Sequence, residues 1–434
     1  MASALTVDAT SGRQPGVLEN SALNLAGLVA GGALGAISGF ITAKVLGAEG
    51  VGVLAVVFGL VEFGRGLTNF THTPSILELH RGRDEGAVFG TSLMLKFIGA
   101  FLFVGLTALV APRLANVFQV PAFAIVLTSM ILFVGAFQEI GTARYEAANR
   151  MLMRNLLVTV GPAIGLLAVV LYVVADMYDV YTAISTSIIG TAAMSFGFFV
   201  HWKRPKFLWE PTIARYLLTY GGRLVLSSFL TQVLLWTDTL MISAILGNFE
   251  TGIYNVVFQL TVVMVTASVG IGIALLPALS ELASRGADTR HAYHRGTLLA
   301  LGLSIAGAII FIAVGRLVLG LYGPEFTRGY VPLLVLTVFG ASAALAVPAQ
   351  SMLTVHGRAT TLLVLSAVQV ALNVPLNYFL IQRHGILGAS LATTAVFALG
   401  LVSTWLLVHR ATGAWPLSRQ TLGEAWGKIA ARLR

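Results

Sequence analysis

The chain has 434 residues, of which 57% are hydrophobic and only 10% are charged, and its formal net charge is +9. This composition excludes a soluble globular protein, in which about 25% of residues are charged. In a membrane protein, an excess of Lys and Arg indicates cytoplasmic loops and contact with anionic lipids, so we expect no nucleic-acid partner. The chain contains no Cys, which excludes disulfides, a thiolate nucleophile and a Cys-ligated metal.

Residues 1–20 are polar and rich in turn-forming residues, without the apolar core of a cleaved signal peptide, so they predict a short cytoplasmic tail. A bilayer core about 30 Å thick needs roughly 20 apolar residues per helix. Apolar runs of this kind follow along the chain at about 23–46, 51–71, 88–111, 121–143, 155–175, 180–200, 217–246, 252–279, 296–315, 329–354, 359–381 and 385–408. We therefore predict an all-α integral membrane protein with about twelve transmembrane helices.

The distribution of Lys and Arg orients these helices. The even-numbered connections and both tails are basic, and the loop after the sixth run alone contains Lys203, Arg204, Lys206 and Arg215. The odd-numbered connections hold only Lys44, Arg113, Arg316, Arg328 and Arg383. Because positive residues concentrate on the cytoplasmic side, we predict a multi-pass protein of the plasma or inner membrane with both termini in the cytoplasm.

The final segment, residues 411–434, is basic and amphipathic. Its apolar side chains fall on one helical stripe formed by Leu422, Trp426, Ile429 and Leu433. This pattern predicts a helix that lies on the anionic inner leaflet, and an irregular basic tail is the alternative.

Two parts of the chain are similar to each other. Residues 45–60 (VLGAEGVGVLAVVFGL) align without gaps with residues 245–260 (ILGNFETGIYNVVFQL), at an offset of 200. A second block follows in the same order, in which Pro74, Glu78 and Leu79 recur as Pro277, Glu281 and Leu282. Six spans separate equivalent segments, so the halves are parallel repeats. We predict six-helix lobes at 21–210 and 211–410 around a central cavity, an arrangement that favours alternating access.

Seven short motifs carry a resemblance to a known family. They are residues 46–52 (LGAEGVG), 238–240 (DTL), 252–255 (GIYN), 276–282 (LPALSEL), 321–326 (LYGPEF), 373–377 (NVPLN) and 385–390 (GILGAS). In this order and spacing they resemble the polysaccharide-biosynthesis flippases, the Wzx-like branch of the multidrug/oligosaccharidyl-lipid/polysaccharide (MOP) superfamily. The resemblance implies that the chain moves a polyprenyl-diphosphate-linked glycan from the cytoplasmic to the outer leaflet, driven by an ion gradient.

Ionisable residues inside the apolar runs are functional candidates, because a charge within the bilayer is expensive. Glu62 lies about 16 Å from the outer end of the second run, near the midplane, and Arg65 lies about one turn further in. Lys96, about 12 Å from the inner end of the third run, could approach the same region. We predict that Arg65 and Lys96, together with Arg223 of the seventh run, bind the diphosphate.

The coupling proton or sodium ion is predicted to bind at Glu62 or at Asp238 of the seventh run. Each of these assignments has an alternative. Glu62 and Arg65 have the i, i+3 spacing of a structural ion pair, and the side chains of Lys96 and Arg223 can extend to the inner headgroups. Asp238 can instead form a structural hydrogen bond with a neighbouring Ser, Thr or Gln.

Two rival functions remain open. A multidrug exporter of the MATE type would share the two-lobe plan, but cations at depth suit a lipid diphosphate better than an organic cation. A membrane-embedded oligosaccharide polymerase or ligase is less favoured, because the connections on the outer side are short and hold no nucleophile-base group. We therefore expect a transporter rather than an enzyme, without a cofactor or a metal site.

Overall fold

The structure is a computed structural model, and it describes residues 17–148, 150–202 and 208–417. These residues form twelve α-helices, and no strand occurs among them. The helices are α1 (Val17–Thr68), α2 (His72–His80), α3 (Glu85–Phe118), α4 (Ala122–Val134), α5 (Ala136–Ala147), α6 (Met151–Val174), α7 (Val180–His201), α8 (Pro211–Leu246), α9 (Asn248–Ser284), α10 (Arg290–Tyr322), α11 (Tyr330–Val355) and α12 (Ala359–Thr412). A short 3-10 helix, Pro324–Gly329, precedes α11.

The described residues contain ten helical segments that are long and apolar enough to cross a membrane. Two of them bend sharply at a glycine: Gly47 in α1 has φ 63° and ψ −173°, and Gly385 in α12 has φ 60° and ψ −141°. A left-handed φ is strained for a residue with a Cβ atom, so glycine suits both bends. When each bent helix is counted as two spans, the described part of the chain has twelve. The predicted all-α membrane protein of about twelve helices is confirmed.

Large apolar side chains lie on the outside of these helices. Leu109 is 78% exposed, Val174 is 80% exposed and Leu317 is 67% exposed. A soluble protein rarely exposes so much apolar surface, whereas lipid chains are as apolar as leucine and solvate it. These exposed apolar side chains therefore form a surface suited to contact with the lipid chains of a bilayer.

The chain divides into two compact units, Met1–Val233 and Leu234–Arg434. The division falls within α8, because the first part of that helix shares an apolar core with α3 of the first unit. In this core Ile213 and Leu217 pack with Val88. The lobes predicted at residues 21–210 and 211–410 follow the repeat in the sequence, and they stay a prediction.

The sequence repeat has a counterpart in the local backbone of each unit. Gly47 and Gly247, which are equivalent in the alignment, both combine a positive φ (63° and 89°) with an extended ψ (−173° and 176°). Gly82 and Gly286 also share a positive φ, of 79° and 66°. Each of these two donates its backbone N–H to the carbonyl three residues earlier, at 2.9 and 3.0 Å. The aligned glycines Gly47 and Gly247 therefore share a conformation, and the turns that follow the second block of each repeat, at Gly82 and Gly286, are similar although shifted by one residue.

Candidate functional site

Glu62 and Arg65 form an ion pair on the second half of α1. The guanidinium Nη1 of Arg65 lies 2.8 Å from Oε1 of Glu62, as their i, i+3 spacing allows. The other carboxylate oxygen of Glu62 accepts a hydrogen bond of 2.8 Å from the Gln232 amide. The side chain of Arg65 is 44% exposed and that of Glu62 only 22%. Both Glu62 oxygens are therefore engaged, while the guanidinium keeps donors for a further acceptor.

Lys96 lies inside the first unit. Its side chain is only 3% exposed, and its ammonium group contacts the carboxylate of Glu139 on α5. The same ammonium group donates to the carbonyl of Thr68, at 3.5 Å. Its charge is compensated within the protein, and its side chain does not extend to the lipid-facing surface.

A cavity of about 220 Å³ lies beside these two ion pairs. Its lining combines polar and apolar residues, namely Arg65, Asn69, His72, Ile131, Leu132, Gly135, Gln138 and Glu139. Guanidinium and amide groups donate hydrogen bonds, and imidazole and carboxylate groups can also take up protons. The cavity can therefore hold a small polar or anionic group close to Arg65.

Further ion pairs occur in the first unit, and one of them includes His72 of the cavity lining. His72 begins α2, and its Nε2 lies 3.5 Å from the Glu146 carboxylate, which also accepts from Arg154 Nε at 2.8 Å. Arg144 of α5 pairs with Glu85 of α3. Arg65 and Lys96, two of the three cations predicted at depth, are likewise each paired with a carboxylate.

Asp238 forms a different kind of site in the second unit. It is 1% exposed, and its carboxylate accepts hydrogen bonds from the hydroxyl of Tyr254, the hydroxyl of Thr393 at 3.1 Å and the backbone N–H of Thr239 at 2.8 Å. Among the described residues no Lys, Arg or His pairs with it. A buried carboxylate held only by neutral donors is costly to keep ionised, so it can take up a proton or bind a cation.

Two buried amides lie on the first half of α12. Asn377 donates its amide to the side-chain oxygen of Asn373 at 3.0 Å. The remaining amide atoms, Nδ2 of Asn373 and Oδ1 of Asn377, have no hydrogen-bond partner among the described residues. Buried polar atoms of this kind are usually satisfied, so this pair has capacity for another polar group.

Arg223 belongs to α8, but its side chain lies outside the described part of the structure. The predicted diphosphate contact of Arg223 therefore stays a prediction. Among the described residues, no group of three or more His, Asp or Glu is arranged to hold a metal ion.

An ionic cluster lies at the end of α2 in the first unit. Arg81 pairs with Glu78 at 2.6 Å, and its guanidinium lies 4.8 Å from the centre of the Tyr216 ring. The hydrogen bond to Glu78 and the nearby Tyr216 phenol raise the pKa of Arg81 above its usual value. Arg83 connects Glu78 to Glu210, at 3.6 and 3.7 Å. This cluster ties the turn after α2 to the beginning of α8.

Glu139 lies inside the apolar run at 121–143 and His72 directly follows the run at 51–71, and neither residue is among the candidates predicted from the sequence. The structure brings both to the cavity that also contains Arg65. Lys96 and Glu139 are separated by 43 residues and lie on different helices, so no local spacing could have indicated their pairing.

A family model described as "Polysaccharide biosynthesis protein" matches residues 41–328, which is more than half of the chain. A curated relative, "Probable flippase AglR" of Haloferax volcanii, is 26% identical over 179 residues. That alignment covers 38% of this chain and 36% of the relative. The chain thus matches about a third of the length of this relative.

Several solved structures have a similar fold. A multidrug resistance MATE family transporter of the MOP superfamily, in its inward-facing conformation, gives a TM-score of 0.77 at 14% identity and covers 91% of this chain and 98% of its own. The lipid II flippase MurJ, in an inward closed conformation, gives a TM-score of 0.72 at 12% identity. The match covers 90% of this chain and 87% of the MurJ chain. A MOP superfamily transporter from Pyrococcus furiosus gives a TM-score of 0.67 at 14% identity. The match covers 92% of this chain and 97% of the transporter chain.

At these identities the likeness concerns the fold, which is that of the MOP superfamily. The similar proteins are described as transporters and flippases rather than enzymes, which agrees with the expectation of a membrane transporter.

Proposed function

The chain belongs to the polysaccharide biosynthesis protein family, and we propose that it is a flippase for a polyprenyl-diphosphate-linked oligosaccharide. It moves this lipid from the cytoplasmic to the outer leaflet by alternating access. The resemblance of its motifs to flippases and the similarity to AglR over part of the chain support this proposal.

The observation that carries the proposal is the position of Arg65. Its guanidinium, in the last turn of α1, lies at the edge of a cavity, is 44% exposed, and uses one nitrogen for Glu62. A guanidinium can bind two oxygens of a phosphate at once, and such charge-assisted bonds are about twice as strong as neutral ones. The amides of Asn69 and Gln138 line the same cavity and supply neutral donors for this ligand, while Lys96 neutralises Glu139 beside it.

We assign ion coupling to Asp238 in preference to Glu62. Glu62 already contacts a guanidinium and an amide, whereas Asp238 has only neutral donors. A proton or a sodium ion at Asp238 would neutralise a charge that is otherwise uncompensated in its surroundings. Binding and release of this ion on opposite sides of the membrane would couple flipping to a gradient.

We propose that both termini lie in the cytoplasm, in a plasma or inner membrane, as the distribution of Lys and Arg indicates. Lys206 belongs to the most basic loop and lies outside the described residues. A cysteine that replaces Lys206 is expected to resist an impermeant thiol reagent in intact cells and to react after permeabilisation. The chain has no native Cys to obscure this result. Labelling in intact cells would place this loop on the outer side and contradict the proposed topology.

A MATE-type exporter of organic cations is the second candidate. One observation favours it: Arg65 and Lys96 each pair with a carboxylate, so these pairs give the cavity no net positive charge. The fold of the MOP superfamily suits both functions.

Transport by purified protein in vesicles separates the two candidates. The vesicles contain a fluorescent polyprenyl-diphosphate oligosaccharide, and the fraction protected from a membrane-impermeant quencher is followed with time. We expect rapid loss of protection with the protein, no effect of empty vesicles, and no accumulation of ethidium by the same preparation. Ethidium accumulation driven by an ion gradient, without flipping of the lipid, would establish the exporter instead.

A further inference from the structure

A second cavity, of about 150 Å³, lies in the unit Leu234–Arg434. It is formed where the end of α11 meets the beginning and the end of α12. Its lining consists of Leu353, Arg358, Thr361, Leu407, Arg410 and Ala411. Two guanidinium groups, one hydroxyl and two leucine side chains therefore share one small space.

The two arginines have no carboxylate partner among the described residues. The described part of this unit contains five carboxylates, and three of them are paired with other arginines. Glu250 pairs with Arg328 at 2.9 Å, Glu281 with Arg285 at 2.5 Å, and Asp288 with Arg290 at 3.9 Å. The remaining two are Asp238, which is buried among neutral donors, and Glu325, which precedes α11 at the end opposite to Leu353.

Two positive charges that line one cavity without a counter-charge repel each other, and an anion between them removes this repulsion. Phosphate is the anion whose oxygens best fit the guanidinium group, through paired hydrogen bonds. The hydroxyl of Thr361 can donate one more hydrogen bond to the same ligand. The chemistry of the cavity therefore favours a phosphate group.

The surroundings of the cavity indicate the source of this phosphate. On α12, Val364 is 57% exposed and Leu406 is 44% exposed, and they lie about 9 Å from Arg358 and about 6 Å from Arg410 along the helix. Lipid-facing surface thus begins one or two turns from the arginines. Basic pockets at this level between transmembrane helices are typical binding sites for lipid headgroups, and Leu353 and Leu407 supply an apolar wall that free phosphate would not need.

We propose that this cavity binds the headgroup phosphate of an anionic phospholipid. Arg358 and Arg410 contact its oxygens, and the acyl chains lie along the exposed face of α12. Given the topology proposed above, the lipid comes from the cytoplasmic leaflet. The bound lipid would connect the beginning of α12 with its end. This site is separate from the transport site and does not depend on the identity of the transported substrate.

The test measures retention of phosphatidylglycerol by the purified full-length protein, by native mass spectrometry and by the rise in melting temperature when the lipid is added to detergent. The altered protein carries Arg358→Gln and Arg410→Gln. The matched control is Arg285→Gln, which removes an exposed arginine of the same unit that already has a carboxylate partner. Because each arginine near the surface contributes about 1 kcal/mol, we expect about thirtyfold weaker retention in the double variant. The control should bind like the wild type.

Two further measurements keep the outcome clear. Without added lipid the double variant should melt at the temperature of the wild type. If it does not, Arg358→Lys with Arg410→Lys keeps both charges and removes only the paired hydrogen bonds of the guanidinium groups, and it should retain less phosphatidylglycerol than the wild type in a folded protein. Phosphatidylcholine and inorganic phosphate are compared with phosphatidylglycerol at equal concentration. Unchanged retention of phosphatidylglycerol in the double variant would overturn the site, and an equal effect of inorganic phosphate would identify a free-anion site instead of a lipid site.

Discussion

In the unit Met1–Val233 the charges of the candidate site occur as pairs of opposite sign, the half-exposed Arg65 with Glu62 and the buried Lys96 with Glu139. In the unit Leu234–Arg434 the buried carboxylate of Asp238 has only neutral hydrogen-bond donors. A pair keeps its charges as long as both partners remain, and it is costly to break. A single carboxylate among hydroxyls can change its charge without losing a partner. This difference supports the proposals that Arg65 of the first unit contacts the substrate phosphate and that Asp238 of the second unit binds the coupling ion.

The largest effect on stability is expected when the buried ion pair of Lys96 and Glu139 is broken. Lys96→Ala leaves the Glu139 carboxylate without its cation, which should lower the free energy of unfolding by about 3–5 kcal/mol. The measurement is thermal or denaturant unfolding of the purified protein in detergent. Lys96→Met combined with Glu139→Leu removes both charges, and this double variant should recover most of the loss.

The matched control for this prediction is Arg285→Ala, which breaks an exposed ion pair with Glu281. Exposed pairs contribute about 0–1 kcal/mol, so the control should be close to the wild type. If Lys96→Ala were as stable as this control, Lys96 and Glu139 would not be a buried pair.

The next effect concerns coupling at Asp238. Asp238→Asn keeps the size of the side chain but removes the charge that a proton or cation would neutralise. We expect this variant to fold and to flip lipid without responding to a proton or sodium gradient. The measurement compares flipping rates in vesicles with and without each gradient, in the wild type and the variant.

Tyr254→Phe is the companion to this change, because it removes one hydrogen-bond donor and retains the carboxylate. It should be destabilised by about 1–3 kcal/mol but should keep its response to the gradient. A full gradient response in Asp238→Asn would transfer the coupling role to Glu62 or to another group.

The smallest effect tests the repeated turns rather than the charges. Gly247 has φ 89° with ψ 176° and no atom within 4 Å of an added Cβ, so Gly247→Ala introduces only backbone strain, of about 1–3 kcal/mol. Gly31 also has space for a Cβ but lies within helix α1, where Ala should stabilise by about 0.5–1 kcal/mol. Opposite signs for the two changes in thermal unfolding are expected. Equal effects would mean that the left-handed turn at Gly247 does not form.

The spans and the repeated turns were accessible from the sequence, because both depend on local composition. Apolar runs of about 20 residues define spans, and the alignment of residues 45–60 with 245–260 joins Gly47 to Gly247, which share a backbone conformation. The spacing of Glu62 and Arg65 likewise allowed their pairing to be anticipated as an alternative.

The partners of the other candidates were not accessible, because they come from distant parts of the chain. Gln232 donates to Glu62 across 170 residues, and Thr393 donates to Asp238 across 155 residues. A single sequence contains no signal for such contacts, since each depends on how whole helices pack. For the same reason the sequence suggested an excess of cations where the structure contains balanced pairs.

The central claim is that Arg65 contacts the diphosphate and does more than neutralise Glu62. The most direct test is the rate of flipping of lipid-linked oligosaccharide by Glu62→Gln combined with Arg65→Gln, which leaves no unpaired charge at this position. Loss of a charge-assisted phosphate contact, worth about 1.5–3 kcal/mol, should reduce flipping by roughly tenfold or more in a folded protein. Arg65→Lys alone should be only partly active, because an ammonium group cannot bind two oxygens as a guanidinium does. Flipping at the wild-type rate by the double variant would contradict the claim and leave a structural ion pair.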